Sequence, residues 1–194
     1  MKSVGIICEY NPFHNGHIYH INKIKEMFPD SVIILVMSGS FTQRGDASII
    51  NKWNKTKIAL NHNIDLVIEL PFIFTNQSAD TFAFGACSIL NYLKVDYLVF
   101  GSESDNIDYI KNIVNIEDDK KYQEKVKELL DNGINYPTAL SKALKDFNIN
   151  LSDSSNDLLG ISYVKTLKKL NSKITPITIK RTNNYNDKTL TKYI

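Results

Sequence analysis

The sequence predicts an α/β fold, a doubly wound parallel sheet with helices on both faces. Three observations point there: short, nearly continuous apolar runs, amphipathic stretches of helical length between them, and polar, turn-rich loops at the end of each run. Runs apolar in both registers mark strands covered on two sides, and regular strand–helix alternation implies right-handed crossovers between parallel neighbours. The chain has 194 residues, 43% hydrophobic and 23% charged. A chain of that size suits one domain and buries roughly 70% of its unfolded surface.

The elements follow in order. Val4–Cys8 reads as the first strand, then a loop Glu9–Gly16 and a helix over His17–Phe28. Val32–Met37 is the second strand, followed by the loop Ser38–Asp46 and a helix over Ser48–His62. Leu66–Leu70 is the third, with the loop Pro71–Gln77 and a helix over Ala79–Leu93; Tyr97–Phe100 is the fourth, with the loop Gly101–Asn106. Ligands of such sheets sit beyond the carboxyl ends of the strands, so these four loops are expected around one crevice. Asp119–Asn132 and Pro137–Phe147 read as helices joined at Gly133. Asn148–Asn156 is a polar loop holding Asp153, Ser154 and Ser155. Asn156–Leu170 is a helix, and Ile174–Ile179 a fifth strand that Pro176 assigns to an edge. The run Thr182–Asp187 has no clear periodicity.

Composition narrows the class further. No apolar run reaches the ~18 residues of a membrane helix, and the N-terminus lacks a signal peptide's basic start and small-residue cleavage site. A cytoplasmic protein with no membrane partner is expected, with Cys8 and Cys87 as reduced core residues. The net charge is only +2 but uneven. Lys165, Lys168, Lys169, Lys173, Lys180, Arg181, Lys188 and Lys192 face a single acid, Asp187, whereas Glu103–Asp131 is acid-rich. The basic stretch reads either as contact with a polyanion such as RNA or as a solvated lysine face.

The most informative local feature is His14-Asn15-Gly16-His17. A strand, a tight turn with two imidazoles around a glycine and a helix N-terminus together suit phosphate binding. Gly16 lets a ligand approach the backbone, and neutral imidazoles donate N–H bonds to phosphoryl oxygens. A pair of surface histidines, or a metal site of His14, His17 and His20, are the alternatives.

Longer strings carry a resemblance. Glu9-Tyr10-Asn11-Pro12-Phe13-His14-Asn15-Gly16-His17 and Met37-Ser38-Gly39-Ser40-Phe41-Thr42-Gln43-Arg44-Gly45 are the most specific. Lys52-Trp53, Lys57, Asp65–Pro71, Phe100-Gly101-Ser102-Glu103 and Leu159-Gly160 add to them. With these the chain resembles the bacterial tRNA(Met) cytidine acetate ligase family, within the nucleotidylyltransferase superfamily. The resemblance implies a Rossmann-like nucleotidylyltransferase (HUP-type) fold with extra C-terminal helices. It implies an ATP-binding domain over 1–181, and 182–194 as the start of a C-terminal extension that is cut short. The second, Ser/Thr-rich signature that adenylyl-transferring relatives carry late in the chain is not found.

The implied reaction joins acetate and ATP to acetyl-adenylate, then passes the acetyl group to N4 of the wobble cytidine of elongator tRNA(Met). His14 and His17, with the helix N-terminus, are the expected catalytic residues, as donors to the charge on the phosphorus, and the resemblance implies the ATP site. ATP would be held by Ile7, Cys8, Glu9, Tyr10, Asn11, Pro12, Phe13, His14, Asn15, Gly16, His17, Ile18, Tyr19 and His20, with Gly101, Asn156 and Arg181. Mg²⁺ is expected from the reaction class, with no protein ligands assigned. Another adenylyltransferase of a small phosphorylated metabolite, or a nucleotide- or tRNA-binding fragment, are the alternatives.

Weaker candidates surround that set. Arg44, beside Gln43, suits a phosphate or the tRNA backbone, or an ion pair with Asp46. Trp53, beside Lys52 and Lys57, is weighted toward core packing over base stacking. Glu69 and Glu9, at the ends of apolar strands, read as carboxylates that need a partner, and His20 as a ribose contact or a packed ring.

Overall fold

In the computed structural model, residues 1–151 and 155–181 are described. Asp153, Ser154 and the run Thr182–Asp187, with Lys188 and Lys192, lie outside the described residues, as does the whole proposed extension 182–194. Five parallel strands form one sheet: β1 Ser3–Cys8, β2 Val32–Ser38, β3 Leu66–Leu70, β4 Tyr97–Ser102 and β5 Thr175–Lys180. The spatial order is β3-β2-β1-β4-β5, with β5 and its Pro176 at an edge as expected.

The helices are α1 Asn15–Met27, α2 Lys52–Leu60, α3 Phe72–Thr75, α4 Ala79–Tyr92, α5 Ile107–Ile116, α6 Lys120–Asp131, α7 Tyr136–Lys145 and α8 Ser155–Lys169. Two of them were not expected. The one-turn α3 sits inside the Pro71–Gln77 loop. The longer α5 carries apolar residues at 107, 110, 113 and 114 but lies in an acid-rich stretch, and Asn106 caps it by accepting from Tyr109 N–H at 2.9 Å. The extra helices α5–α7 precede α8 and β5, so they sit between the fourth and fifth strands.

Alternate side chains of each central strand feed two cores. Val4, Ile6, Ile33, Leu35, Met37 and Val99 pack with Ile21 and Ile24 of α1 and Ala59 of α2. Ile7, Ile34, Val36, Leu98 and Phe100 pack instead with α4, α5 and α8, and the α6–α7 pair extends that layer. This two-sided burial is why the strands read as unbroken apolar runs.

The sheet also creates its own opening. β1 pairs with β2 along its whole length, from Ser3↔Val32 to Cys8↔Met37, but with β4 only at Val4↔Tyr97 and Gly5↔Leu98. Beyond Gly5 the two middle strands part, and a crevice opens at the point where strand order reverses.

The two charge blocks meet rather than reach outward. Lys165 pairs with Glu117 at 2.8 Å, and Lys168 with Asp118 at 2.6 Å. Among the described residues, the α8 lysines thus answer the acidic end of α5 and favour the second reading of the basic stretch.

Gly160 sets how closely α8 lies on β4, because a Cβ there would sit 2.5 Å from Phe100 Cε2. Gly160→Ala is expected to lower stability by about 1–3 kcal/mol through overpacking. Urea unfolding should show a lower midpoint at unchanged slope, with part of the loss recovered in a Phe100→Leu background.

Candidate nucleotide site

A cleft of about 630 Å³ occupies the crevice. That volume is in the range of sites that bury a nucleotide-sized ligand. Its walls come from the β1–α1 loop, the turn after β2, the end of β4, the start of α8 and the end of β5. The Pro71–Gln77 loop, expected there too, supplies no lining residue; the next helix does, through Ala79 and Phe82.

The helix start explains the two histidines. His14 is the N-cap of α1, so the helix begins at Asn15, two residues earlier than predicted. Gly16 N–H donates to His14 Nδ1 at 3.0 Å, and His14 N–H donates to His17 Nδ1 at 3.2 Å. A backbone N–H can only donate, so both Nδ1 atoms are acceptors and both ring protons sit on Nε2. The helix cap therefore fixes two neutral imidazoles, 3.8 Å apart at their centroids, in the tautomer that offers Nε2–H to a ligand. Gly16 lets the ring lie this close: a Cβ there would stand 2.8 Å from His14 Cε1 and would force the ring to shift.

Electrostatics keep these rings uncharged. Burial first, then the neighbouring His14, His20 and Arg181, push His17 down to about 3. Burial and Arg181 lower His20 to about 4, and the same two causes lower His14. Phe13 and Tyr10 back the His17 ring at 5.5 and 4.5 Å.

The far wall is a polar network centred on Glu103. Its carboxylate accepts from Asn156 Nδ2 at 2.6 Å and from the Asp157 N–H at 3.2 Å. Arg181 reaches Asn156 Oδ1 at 3.4 Å and places Nε 3.7 Å from Glu103. Asp157, only 2% exposed, accepts from Ser102 Oγ and from Ser104 N–H. Together these fix the β4 end against the α8 start, with Gly101 between them on the lining. Three buried polar atoms of cleft-lining residues, Tyr10 Oη, His20 Nε2 and Arg181 Nε, make no hydrogen bond among the described residues, Arg181 Nε having only the longer ion pair to Glu103. Buried polar atoms normally have a partner, so this cleft suits a polar occupant.

The near wall is tied by Lys55. Its ammonium is fully buried and donates at 2.9 Å to Glu9 C=O, to Ser38 C=O and to Ser48 Oγ. Glu9 accepts from Gln43 N–H, and burial raises its carboxyl.

Of the predicted ATP residues, Ile7, Cys8, Glu9, Tyr10, Asn11, Pro12, His14, Gly16, His17, Tyr19, His20, Gly101, Asn156 and Arg181 line the cleft. Phe13, Asn15 and Ile18 are not on its lining; Phe13 stands behind, 4.7 Å from His62. Among the described residues no group of three or more His, Cys, Asp or Glu side chains is placed to hold a metal ion, His14, His17 and His20 included.

One weaker reading is corrected. Trp53 is 74% exposed rather than core, because α2 begins only at Lys52, capped by Asn51, and turns that face outward. Glu69 has the partner its place in an apolar strand calls for, pairing with Lys52 at 2.7 Å, but it is exposed rather than buried. Sequence reasoning passed over Lys55 and gave no role to Glu103 or Asp157. Lys55 could have been found from Ala59 one turn on, which puts both on the inward face of α2.

The chain matches the model of a family described as HIGH nucleotidyl transferase over residues 1–194. A relative from Caldicellulosiruptor bescii, described as tRNA(Met) cytidine acetate ligase, is 46% identical and aligned over 99% of this chain and 49% of its own. One of the same description from Clostridium novyi is 49% identical over 96% of this chain and 49% of its own. The chain thus spans about half the length of the curated relatives it matches. The crystal structure of Thermotoga maritima TmcAL in its apo form superposes with a TM-score of 0.92 at 37% identity, over 98% of this chain and 48% of that one. The same protein bound with alpha-thio ATP gives 0.89 at 38%, over 94% and 47%. Among the described residues no helix is long and apolar enough to cross a membrane.

Two outcomes follow from this geometry. The unfolded chain protonates His17 and His20 near about pH 6.5, whereas the folded chain holds them neutral down to about 3 and about 4. The unfolded state binds more protons in that window, so stability present above pH 6.5 falls as pH drops toward 4. Urea unfolding across pH 4.5–7 should show it, with a shallower slope in His20→Gln. Lys55→Met should cost about 1–3 kcal/mol for each acceptor left dry, and calorimetry should show nucleotide affinity falling with it.

Proposed function

The chain belongs to the HIGH nucleotidyl transferase family, and from that premise we propose that it activates acetate with ATP and acetylates the wobble cytidine of elongator tRNA(Met) in the cytoplasm. The observation that carries the reading is the pair of Nε2–H donors fixed at the α1 N-terminus, facing a cleft whose opposite wall is Asn156 and Arg181. The names of the relatives supply the acceptor.

The nucleotide enters with its sugar and base toward Gly101 and Asn156 and its phosphates toward His14, His17 and the helix N-terminus. An acetate oxygen attacks the α-phosphorus; the new O–P bond forms as the bond to pyrophosphate breaks, and pyrophosphate leaves with the electron pair. The cytidine N4 lone pair then attacks the acetyl carbonyl, N4 loses its proton and AMP departs. Neutral donors suit the first step, because they strengthen on the charge that builds at the phosphoryl oxygens without trapping the product as an ion pair. Holding two anions in line supplies roughly 7–11 kcal/mol in favourable cases. A divalent cation, which this reaction class uses to neutralise phosphate charge, finds no three-ligand cluster among the described residues.

Acetate-dependent exchange of labelled pyrophosphate into ATP tests the reading. The chain should exchange only with acetate present, and His17→Ala should lower the rate by about 10²–10³-fold. Exchange indifferent to acetate would point to a phosphorylated metabolite as the adenylyl acceptor, and a His17→Ala variant with full activity would remove the ring from the chemistry.

A further inference from the structure

We propose that Glu103 is a positioning residue: it turns the Asn156 carboxamide so that the oxygen, not the amine, meets the nucleoside. The cleft then selects a nucleotide that carries a hydrogen-bond donor at that point, either a ribose hydroxyl or the exocyclic amine of the base. The proposal rests on the reading of the cleft as a nucleotide site.

The two ends of an asparagine amide match in shape and are opposite in hydrogen bonding, so a neighbour has to choose between them. Glu103 Oε1 accepts from Asn156 Nδ2 at 2.6 Å, and Oε2 accepts from the Asp157 N–H at 3.2 Å. A carboxylate with an N–H on each oxygen offers acceptors only, so Asn156 has to give it the amine. Glu103 stands behind the wall of the cleft, whereas Asn156 and Arg181 are on its lining. Asn156 Oδ1 is thereby turned to the lining side, where Arg181 Nη1 lies 3.4 Å away. That contact is long, and a carbonyl oxygen has a second lone pair to accept from an incoming donor.

The same carboxylate decides which end of a nucleotide comes here. Helices α1 and α8 both start at this cleft. At α1 the capping groups are the neutral imidazoles. In the first turn of α8 the Asp157 N–H already meets Glu103, and Asp157 is itself a buried carboxylate. Negative charge at a helix N-terminus stands where a phosphate would otherwise be drawn. Arg181, whose Nε lies 3.7 Å from Glu103, has its charge answered there. The triphosphate is directed to α1, and the nucleoside is left for Asn156.

Glu103→Gln makes a sharp test. The Asp157 N–H can only donate, so the new amide keeps its oxygen there and turns its NH₂ to Asn156. Asn156 must then turn over and show its own NH₂ to the cleft. Calorimetry on the full chain compares ATP with ITP, which has an acceptor in place of the amine, and with ATP in which either ribose hydroxyl is replaced by fluorine. The unsubstituted chain should bind one of these analogues about tenfold more weakly than ATP. Rejection of ITP identifies the base as the donor, and rejection of a fluoro analogue identifies the sugar. In Glu103→Gln, and separately in Asn156→Ala, the ratio should shrink to about twofold or less. Lost stability weakens every ligand alike and leaves the ratio unmoved, so the ratio reads the amide and not the fold. An unsubstituted chain that binds all of them equally, or a preference that survives either substitution, overturns the assignment. A preference that depends on Glu103 in a chain that exchanges no pyrophosphate with acetate would sink the reaction and leave this site standing; exchange without the preference would do the reverse.

Discussion

A single buried ammonium holds the site's loops in place. Lys55 leaves water entirely, and each of its three protons meets an oxygen: the Glu9 carbonyl just past β1, the Ser38 carbonyl that ends β2 and the Ser48 hydroxyl. Burying an unpaired charge is costly, so the loops must bring all three acceptors to it or the chain does not close there. Pairing of β1 with β2 already sets their loops side by side, and α2 delivers the cation that ties the two strand ends together. Glu9 then carries the tie one step further, from the β1 loop to the turn holding Arg44.

On that frame the histidines serve two purposes at once. As caps, their Nδ1 atoms satisfy backbone N–H groups at the start of α1, which a helix must satisfy somehow. That use leaves Nε2–H free for chemistry and forbids the other tautomer. Local folding and ligand recognition thus draw on opposite nitrogens of the same rings, and burial keeps both rings neutral. Glu103 does comparable work across the cleft, holding the first residues of α8 and the Arg181 side chain against the end of β4.

Much of this was legible in one dimension. The three central strands were readable because burial on both faces erases alternation and leaves apolar runs; the edge strands β3 and β5 are less buried and were readable from their short apolar, β-branched runs, and Pro176 could sit only where its missing N–H has no partner to supply. Helix α5 was not, although its apolar spacing was present, because acids and asparagines around it mask the amphipathic stripe. The start of α2 was misplaced for a related reason: Ser48–Ile50 carries helical-looking residues, but Ser48 N–H is taken by Ser40 C=O, so the segment stays a loop until Asn51 caps the helix. Trp53 followed that error outward.

By itself, then, the sequence determined the layer order of strand and helix, the loops that carry chemistry and the His-x-Gly-His helix start, because each follows from periodicity or backbone geometry within about a dozen residues. Tertiary structure alone decided which lysine is buried, which carboxylates are paired and which arginine stands on which side of β1. Those outcomes depend on residues from separate strands and helices being brought within 4 Å of one another. No local pattern encodes a desolvated charge until its partners from other strands arrive.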